Sequence, residues 1–366
     1  MFGDDVVQFE TRPCANPVAA DARAALMENP GFGRVFTDHM VVLQYTEGRG
    51  WHDGRIEARA PFQLDPSSAV LHYAQEIFEG LKAYRAPDGG ALLFRPDANA
   101  RRFNQSADRM SMPRLPEALF LESVKGLVKA DRSWIPTRQG GSLYLRPFMI
   151  ASEVFLGVKP SSEYLYVVIA SAVGSYFKGG GDTVAVWVSQ NDTRAAPGGT
   201  GAAKCGGNYA ASLRAQAEAV RNGCDQTLFL DAAERRYVEE LGGMNIFFVL
   251  DDGSLLTPPL DGTILPGVTR DSIIALARAE GRAVREERYA IDQWRKDAAS
   301  GRVREAFACG TAAVIAPISR VRWPDGEFTI GDADAGGPTT LAMRDALVAI
   351  QRGLAPDPHG WVQRVF

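Results

Sequence analysis

Cysteine is scarce in this 366-residue chain, with four residues, Cys14, Cys205, Cys224 and Cys309, widely separated. No Cys-x-x-Cys pair occurs, which excludes a disulfide framework and points to a reducing compartment, most simply the cytoplasm. Histidine is equally sparse. His39, His52, His72 and His359 show neither His-Glu-x-x-His nor any paired ligand spacing, so no metal site is expected from them. The net charge is −4 and no long basic cluster appears, which argues against a nucleic-acid partner. No uninterrupted apolar run is long enough to span a bilayer. The opening stretch MFGDDVVQFETRP is acidic and lacks the apolar core of a signal peptide. Internal repeats and low-complexity tracts are missing too. What remains is 46% hydrophobic and 23% charged, ordinary for a globular protein, and long enough for two domains.

The richest stretch is Gly198-Gly199-Thr200-Gly201-Ala202-Ala203-Lys204-Cys205-Gly206-Gly207-Asn208-Tyr209. A surface lysine needs no such company. Five glycines around one lysine suggest a place where backbone approaches something closely. An amine held there can lose solvation and become a nucleophile toward aldehydes. Taken alone, the stretch also reads as a surface loop that happens to hold a lysine. Two nucleotide readings fail on spacing. A P-loop needs glycine before the lysine and Ser or Thr after it, where Ala203 and Cys205 stand. A dinucleotide fingerprint counted from Gly199 and Gly201 needs glycine at position 204, which is the lysine itself.

Helices are expected over Asp97 to Ser111, with Pro113 beyond the end, and over Pro116 to Trp134, where Leu119, Val124, Leu127 and Val128 recur at helical spacing. Ser142 to Ile150 and Tyr164 to Val173 read as strands, the second nearly all apolar, as in a buried strand. The run Lys178-Gly179-Gly180-Gly181-Asp182 reads as an interdomain linker, placing domains at 1–177 and 183–366. Beyond it, Thr183 to Ser189 reads as a strand and Tyr209 to Asn222 as a helix closed by Gly223. Gln226 to Asp231 is a strand, and Tyr237 to Leu250 is a strand pair or one bent strand. Asp252-Gly253 marks a turn. Thr269 to Glu280 is a helix started by Thr269 and stopped by Gly281. Strand-like pieces follow at Arg285 to Tyr289, Val303 to Cys309 and Ala312 to Ile318, before a closing helix over Thr339 to Arg352.

Two places suit an anion. Leu265-Pro266-Gly267-Val268-Thr269-Arg270 sets a Pro-Gly turn before a helix start, whose free N–H groups and positive end attract negative charge. An ordinary N-cap is the alternative. Cys309-Gly310-Thr311-Ala312 puts a glycine and a hydroxyl between two strand-like runs. Neither belongs to a nucleotide motif, so together they allow a phosphorylated cofactor that is not a nucleotide. A carboxylate at Glu239 or Glu240, beside the apolar run Leu241 to Leu250, is costly without a partner, and a protonated ring nitrogen would suit; both glutamates also read as exposed at a strand start. Glu239 is expected to lie exposed at the strand start.

In this order the lysine, carboxylate, helix-start anion site and Gly-Thr loop resemble pyridoxal-phosphate enzymes of fold type IV. The match narrows to the branched-chain amino-acid aminotransferases. Phe36-Thr37-Asp38-His39-Met40, Leu71-His72-Tyr73, Ile77-Phe78-Glu79-Gly80-Leu81-Lys82-Ala83-Tyr84, Arg95-Pro96 with Arg102, and Tyr144-Leu145-Arg146-Pro147 carry it in the first half. Gly198 to Tyr209, Glu240 to Asn245, Pro258 to Arg270 and Gly310-Thr311 carry it in the second. The resemblance runs collinearly from about Phe36 to Ile318. It implies an α/β (α+β) two-domain fold, with a small N-terminal α/β domain and a larger, pseudo-barrel C-terminal domain that binds pyridoxal 5'-phosphate.

It also implies roles. Lys204 would carry the cofactor covalently through its amine and then shuttle the proton. Glu240 would face the ring nitrogen and Tyr209 the ring oxygen. Arg102, Val268, Thr269, Gly310 and Thr311 would hold the phosphate. Phe36, Tyr73, Phe78, Tyr144 and Tyr176 would wall an apolar substrate pocket for leucine, isoleucine and valine. Arg146 would let that pocket accept the distal carboxylate of glutamate or 2-oxoglutarate. Gly243 and Ala312 would border the substrate carboxylate, and Leu156 and Val158 would complete the site of a neighbouring subunit in a homodimer. Each pocket residue has a plainer reading, Tyr73 and Phe78 as core, Tyr144 and Tyr176 as backbone-satisfying hydroxyls, Arg146 as an ion-pair partner. Two departures stand out. Some relatives have threonine where this chain has Gly243, and some have a cysteine pair where it has Ala312 to Ala316. The alternatives within the fold are a D-amino-acid transaminase and an aminodeoxychorismate lyase. A non-catalytic binding protein of this fold is a third, disfavoured by the presence of Lys204.

Overall fold

Alternating and continuous apolar runs build two nine-stranded sheets. The computed structural model describes residues 7–138, 140–174, 183–331 and 335–366. The expected linker at 178–182 and Tyr176 lie outside the described residues. The chain divides into two compact units. The first takes in the described residues of Met1–Tyr176, with Ala203–Gly206 and Ile350–Phe366; the second takes in those of Phe177–Ala202 and Gly207–Ala349. Two stretches that a single cut at the glycine run assigns to the second domain therefore pack with the first. Ala203 and Cys205 are buried in the first unit's core, and the last strand pairs with its sheet edge.

The first sheet holds Glu10–Thr11 (β1), Val35–Thr46 (β2), Gly50–Ala58 (β3), Glu76–Phe78 (β4), Leu81–Arg85 (β5), Ala91–Phe94 (β6), Ser142–Ala151 (β7) and Glu163–Val173 (β8). Its ninth member is the last strand of the chain, Val362–Arg364, β18 in chain order. The order is β1-β3-β2-β8-β7-β5-β6-β18, with β4 also on β7. All pairs are antiparallel except β1 with β3. β7 and β8 pair without a slip from Ser142↔Val173 to Ala151↔Tyr164. That register fixes which side chains share a face, because successive strand residues point to opposite sides. Leu143, Leu145 and Met149 enter the core, as do Tyr164, Tyr166, Val168 and Ala170. The helices Pro96–Arg109 (α3) and Glu117–Ala130 (α4) supply the rest of that core, α4 through Leu119, Phe120, Val124, Leu127 and Val128. Phe103, Phe120 and Tyr166 meet at centroid distances of 5.6 to 6.4 Å. The helices Ala20–Glu28 (α1) and Ala69–Tyr73 (α2) belong to the same unit.

The second sheet holds Val184–Val188 (β9), Gln226–Leu230 (β10), Val238–Leu241 (β11), Asn245–Leu250 (β12), Leu255–Thr257 (β13), Val284–Glu286 (β14), Val303–Gly310 (β15), Val314–Trp323 (β16) and Gly326–Thr329 (β17). The order is β11-β10-β9-β16-β15-β12-β13-β14, with β17 on β16. The sheet curls until β11 meets β12, where the Leu241 N–H donates to the Met244 carbonyl at 2.8 Å. Ile246, Phe248 and Leu250 alternate into one core with Trp294, Tyr289 and Phe328. Phe247 points to the other face and stacks on its cross-strand partner Phe307 at 5.2 Å. The helices here are Gly206–Arg221 (α5, beginning at the unit boundary), Val268–Ala279 (α6), Ile291–Ser300 (α7) and Pro338–Gln351 (α8).

Most expected elements appear within two or three residues. The Tyr237 to Leu250 run is a strand pair broken at Gly242-Gly243. The helix expected over Pro116 to Trp134 ends at Ala130 and continues as a 3₁₀ turn, Arg132–Trp134. Gly223, Gly253 and Gly281 take the left-handed backbone their stop and turn positions require. Thr269 does not start its helix. Gly267 is the cap residue, in extended backbone, and Thr269 lies inside the first turn. Two short strands fall short of expectation: Val184–Val188 lacks both ends of the expected run, and Val284–Glu286 stops before Tyr289. Among the described residues no helix is long and apolar enough to cross a membrane.

Lys82 on β5 is a charge the fold tolerates poorly. Burial, aided by the Arg352 charge, lowers its pKa from 10.5 to about 7. The unfolded chain therefore binds this proton more readily between those values, and stability falls as pH drops through that window. Lys82→Met should raise the thermal midpoint at pH 7 and flatten the rise in stability that wild type shows from pH 7 to pH 10, read by thermal unfolding across that range.

Candidate active site

Lys204 is positioned by its backbone. Its N–H donates to Ser106 Oγ on α3 at 2.9 Å, and its carbonyl accepts from the Phe78 N–H at the end of β4 at 2.9 Å. Ala203 and Cys205 on either side are buried, so the segment is clamped and the lysine side chain is left half-buried. Its Nζ lies 4.8 Å from the centre of the Phe78 ring. The flanking glycine is a steric requirement, since a Cβ on Gly206 would overlap the Glu76 carboxylate. Burial pushes the Glu76 carboxyl up, opposed by the Gly206 N–H and the Arg146 charge.

Beside this segment, Glu79 is fully buried and grips Arg102 with both oxygens, Nε to Oε1 at 2.7 Å and Nη2 to Oε2 at 2.8 Å. Asn99 and the Gly80 N–H also donate to Oε2, at 2.7 and 3.1 Å. Burial alone would raise this carboxyl, but the Arg102 guanidinium, with Lys204 and Asn99 contributing, holds it below the usual carboxylate range. Arg102 is thus set in place by an acid to which no role had been assigned.

Strand alternation gathers the expected pocket residues. With Leu143 and Leu145 in the core, Tyr144 and Arg146 take the opposite face of β7. Phe36 and Tyr144 both register on Ser171, and Phe78 registers on Phe148, so Phe36, Phe78, Tyr144 and Arg146 share that face. The Arg146 guanidinium sits 4.7 Å over Phe78 and 5.3 Å over Tyr144. Its Nη2 donates to the Tyr144 hydroxyl at 2.9 Å. Among the described residues its buried Nε has no hydrogen-bond partner. Gly80 makes room for this group, because a Cβ there would overlap the Tyr144 hydroxyl. Tyr73 is not part of the row. It is 39% exposed, and its hydroxyl donates to the Leu156 carbonyl. Leu156 and Val158 are 59% and 88% exposed, unusual for apolar side chains. Tyr176 lies outside the described residues.

In the second unit, Glu240 is buried on β11 and held by donors. Oε1 accepts from Leu265 N–H at 2.9 Å and meets Arg194 Nη1 at 2.9 Å. Oε2 accepts from Asn245 Nδ2 at 3.1 Å. The expectation that Glu239 is exposed fails. The whole of β11 is buried, Glu239 accepts from Thr263 Oγ1 at 2.6 Å, and burial raises its pKa. Tyr209 lies in the first turn of α5, with Asn208 tied to Thr200 by two bonds of 2.7 and 2.8 Å. Among the described residues a Cβ on Gly243 would meet only Tyr209 Cε1, at 3.8 Å, an ordinary contact.

The start of α6 has no side-chain cap. Val268 and Thr269 occupy its first turn, and a Cβ on Gly267 would overlap Asn245 Oδ1. Gly310, Thr311 and Ala312 lie at the β15–β16 turn, which ends on Val314 at φ +63°, rare for a β-branched residue. Glu79, Arg194, Asn245 and Ser106 escaped assignment from sequence. Glu79 and Asn245 stand inside matched motifs and could have been found there. Arg194 and Ser106 have no local signal at all.

The family model for amino-transferase class IV matches residues 76–321. The chain is 55% identical to the branched-chain-amino-acid aminotransferase of Mycobacterium tuberculosis (strain CDC 1551 / Oshkosh), covering 98% of each chain. The structure of the branched-chain amino acid aminotransferase from Escherichia coli superposes with a TM-score of 0.72 at 30% identity, covering 89% of this chain and 99% of that one. The branched-chain amino acid aminotransferase from Thermobaculum terrenum, solved in its PLP-form, gives a TM-score of 0.69 at 25% identity, covering 89% of this chain and 98% of that one. The chain belongs to the branched-chain-amino-acid aminotransferase family and has its fold type IV architecture.

The Glu79–Arg102 pair makes a stability prediction. Its lowered folded pKa means that Glu79 stabilises the protein above the ordinary glutamate range, an advantage lost as pH falls through the folded value. Glu79→Gln should cost about 3 kcal/mol or more at neutral pH, since Arg102 is left buried without its counter-charge. Denaturant unfolding should show that deficit narrowing in acid.

Proposed function

We propose that the protein transfers the amino group between branched-chain L-amino acids (leucine, isoleucine, valine) and 2-oxoglutarate, in two successive half-reactions at one site. Pyridoxal 5'-phosphate is the cofactor, and the working form is a cytoplasmic homodimer. The face of the first sheet that carries Arg146 among Phe36, Phe78 and Tyr144 is the observation that supports this reading best. Aromatic rings there favour an apolar side chain, and the one guanidinium, with its unbonded Nε, suits a second carboxylate. The same pocket then serves both substrates.

The residues fit the cofactor. Gly267 leaves the α6 start open where a Cβ would collide with Asn245, and Thr269 and Thr311 offer hydroxyls. Arg102, Val268, Thr269, Gly310 and Thr311 would hold the phosphate, Tyr209 the ring oxygen and Glu240 the ring nitrogen. Pyridoxal phosphate supplies an aldehyde for the amino group and a ring that accepts electrons from the substrate. Lys204 contributes the amine that holds the cofactor between turnovers and moves the proton at the substrate Cα. Glu240 keeps a proton on the ring nitrogen. Exposed Leu156 and Val158 suit burial against a second copy of the chain.

Borohydride reduction of the yellow holoenzyme should fix the label on Lys204, and Lys204→Ala should abolish turnover with the fold intact. A protein that stays colourless in added cofactor would sink this reading. Arg146→Ala should raise KM for 2-oxoglutarate by about tenfold to a hundredfold and spare leucine, because only the diacid presents a charge there. Steady-state kinetics of each half-reaction decides this, and matched losses for both substrates would make Arg146 a support for the pocket wall. A donor panel in which D-alanine outruns leucine would favour a D-amino-acid transaminase.

A further inference from the structure

Arg194 stands in no matched motif, yet it occupies a crossing of the second unit. Its side chain is 2% exposed. Nη1 lies 2.9 Å from Glu240 Oε1 and also donates to the Thr263 carbonyl at 3.1 Å and the Gly201 carbonyl at 3.4 Å. Gly201 belongs to the segment before Lys204, and Thr263 to the segment before the α6 start. These two segments touch so closely that a Cβ on Gly201 would overlap the Thr263 carbonyl oxygen. Both neighbouring acids, Glu239 and Glu240, are buried, and Arg194 is the cation beside them.

Removal from water favours the neutral form of a carboxylate this buried, and hydrogen bonds from neutral donors oppose that shift. The Leu265 and Asn245 amides are such donors. A guanidinium stays charged at any working pH and supplies the missing Coulomb stabilisation where the dielectric is low.

We propose that Arg194 is the positioning residue that keeps Glu240 anionic, so that the proton shared between Glu240 and the cofactor's ring nitrogen resides on the nitrogen. This inference rests on the functional reading above and assigns that site its charge balance. The proton has two places to go, the Glu240 oxygen or the ring nitrogen. A cation in contact with the Glu240 oxygen penalises protonation of that oxygen directly. No bond to Arg194 forms or breaks. The arginine acts through Glu240, and its hydrogen bonds to Gly201 and Thr263 fix where its charge sits.

The test uses holoenzyme reconstituted with pyridoxal phosphate carrying ¹⁵N at the ring nitrogen, observed by NMR at neutral pH. Wild type should show a protonated nitrogen. Arg194→Gln keeps amide donors for the two carbonyls but no charge. Its nitrogen signal should move to the neutral position, and kcat should fall by about tenfold to a hundredfold with KM for leucine within about threefold. Arg194→Met, apolar and of similar length, is the second neutral variant in case the first does not fold. Arg194→Lys should restore the protonated signal and most of kcat. An arginine that only ties the two segments together would lower the thermal midpoint of apo and holo protein and leave the nitrogen signal of a folded neutral variant unchanged. That result overturns the assignment. Wild type that takes up no cofactor would instead overturn the functional reading and leave nothing for Arg194 to act on.

Discussion

Two carboxylates are buried, and each is held by a buried arginine. Glu79 grips Arg102 in the first unit, and Glu240 meets Arg194 in the second. Such pairs recover part of the cost of leaving water only when geometry is good and the remaining polar atoms are bonded. Asn99 and Gly80 do this around Glu79, as Asn245 and Leu265 do around Glu240. Buried ion pairs of this kind are often no more stabilising than well-packed apolar residues. What each provides is orientation. Arg102 is held by both oxygens of Glu79, and the Glu240 oxygens by Leu265, Asn245 and Arg194.

Close backbone approach is the second constraint. Four glycines stand where any side chain would collide: Gly80 with the Tyr144 hydroxyl, Gly201 with the Thr263 carbonyl, Gly206 with Glu76, and Gly267 with Asn245. None of them has a positive φ, so conformational freedom is not the reason for glycine. Space is the reason, and in each case the space is taken by a polar group that the site uses or borders. The strained Val314 backbone belongs to the same picture, at the end of the turn that presents Thr311.

Lys204 shows how the parts combine. Its segment carries no regular structure of its own, yet the backbone bonds to Ser106 and Phe78, with the burial of Ala203 and Cys205, fix where its side chain begins. The Phe78 ring below its amine is also one wall of the Arg146 group. Lys204 and Arg146 therefore share a neighbour within one unit.

The sequence by itself determined a good deal. Apolar periodicity placed α3, α4 and the long strands, because a half-buried element must repeat its apolar residues at its own period. The glycines around Lys204 marked a crowded backbone, and the Pro-Gly turn marked a helix start open to an anion. Motif order then picked out Glu240, Arg102 and Arg146. Tertiary structure decided the rest. The burial of Glu239 followed from the curl that closes β11 onto β12, which no local pattern encodes. Tyr73 pairs with Leu156 and stays apart from Phe36, because the face a side chain takes depends on strand register and on where a short helix ends. Arg194 and Ser106 found their partners only when segments distant in sequence came into contact. A lone arginine or serine has no periodicity to read, and its partner is set by the fold around it.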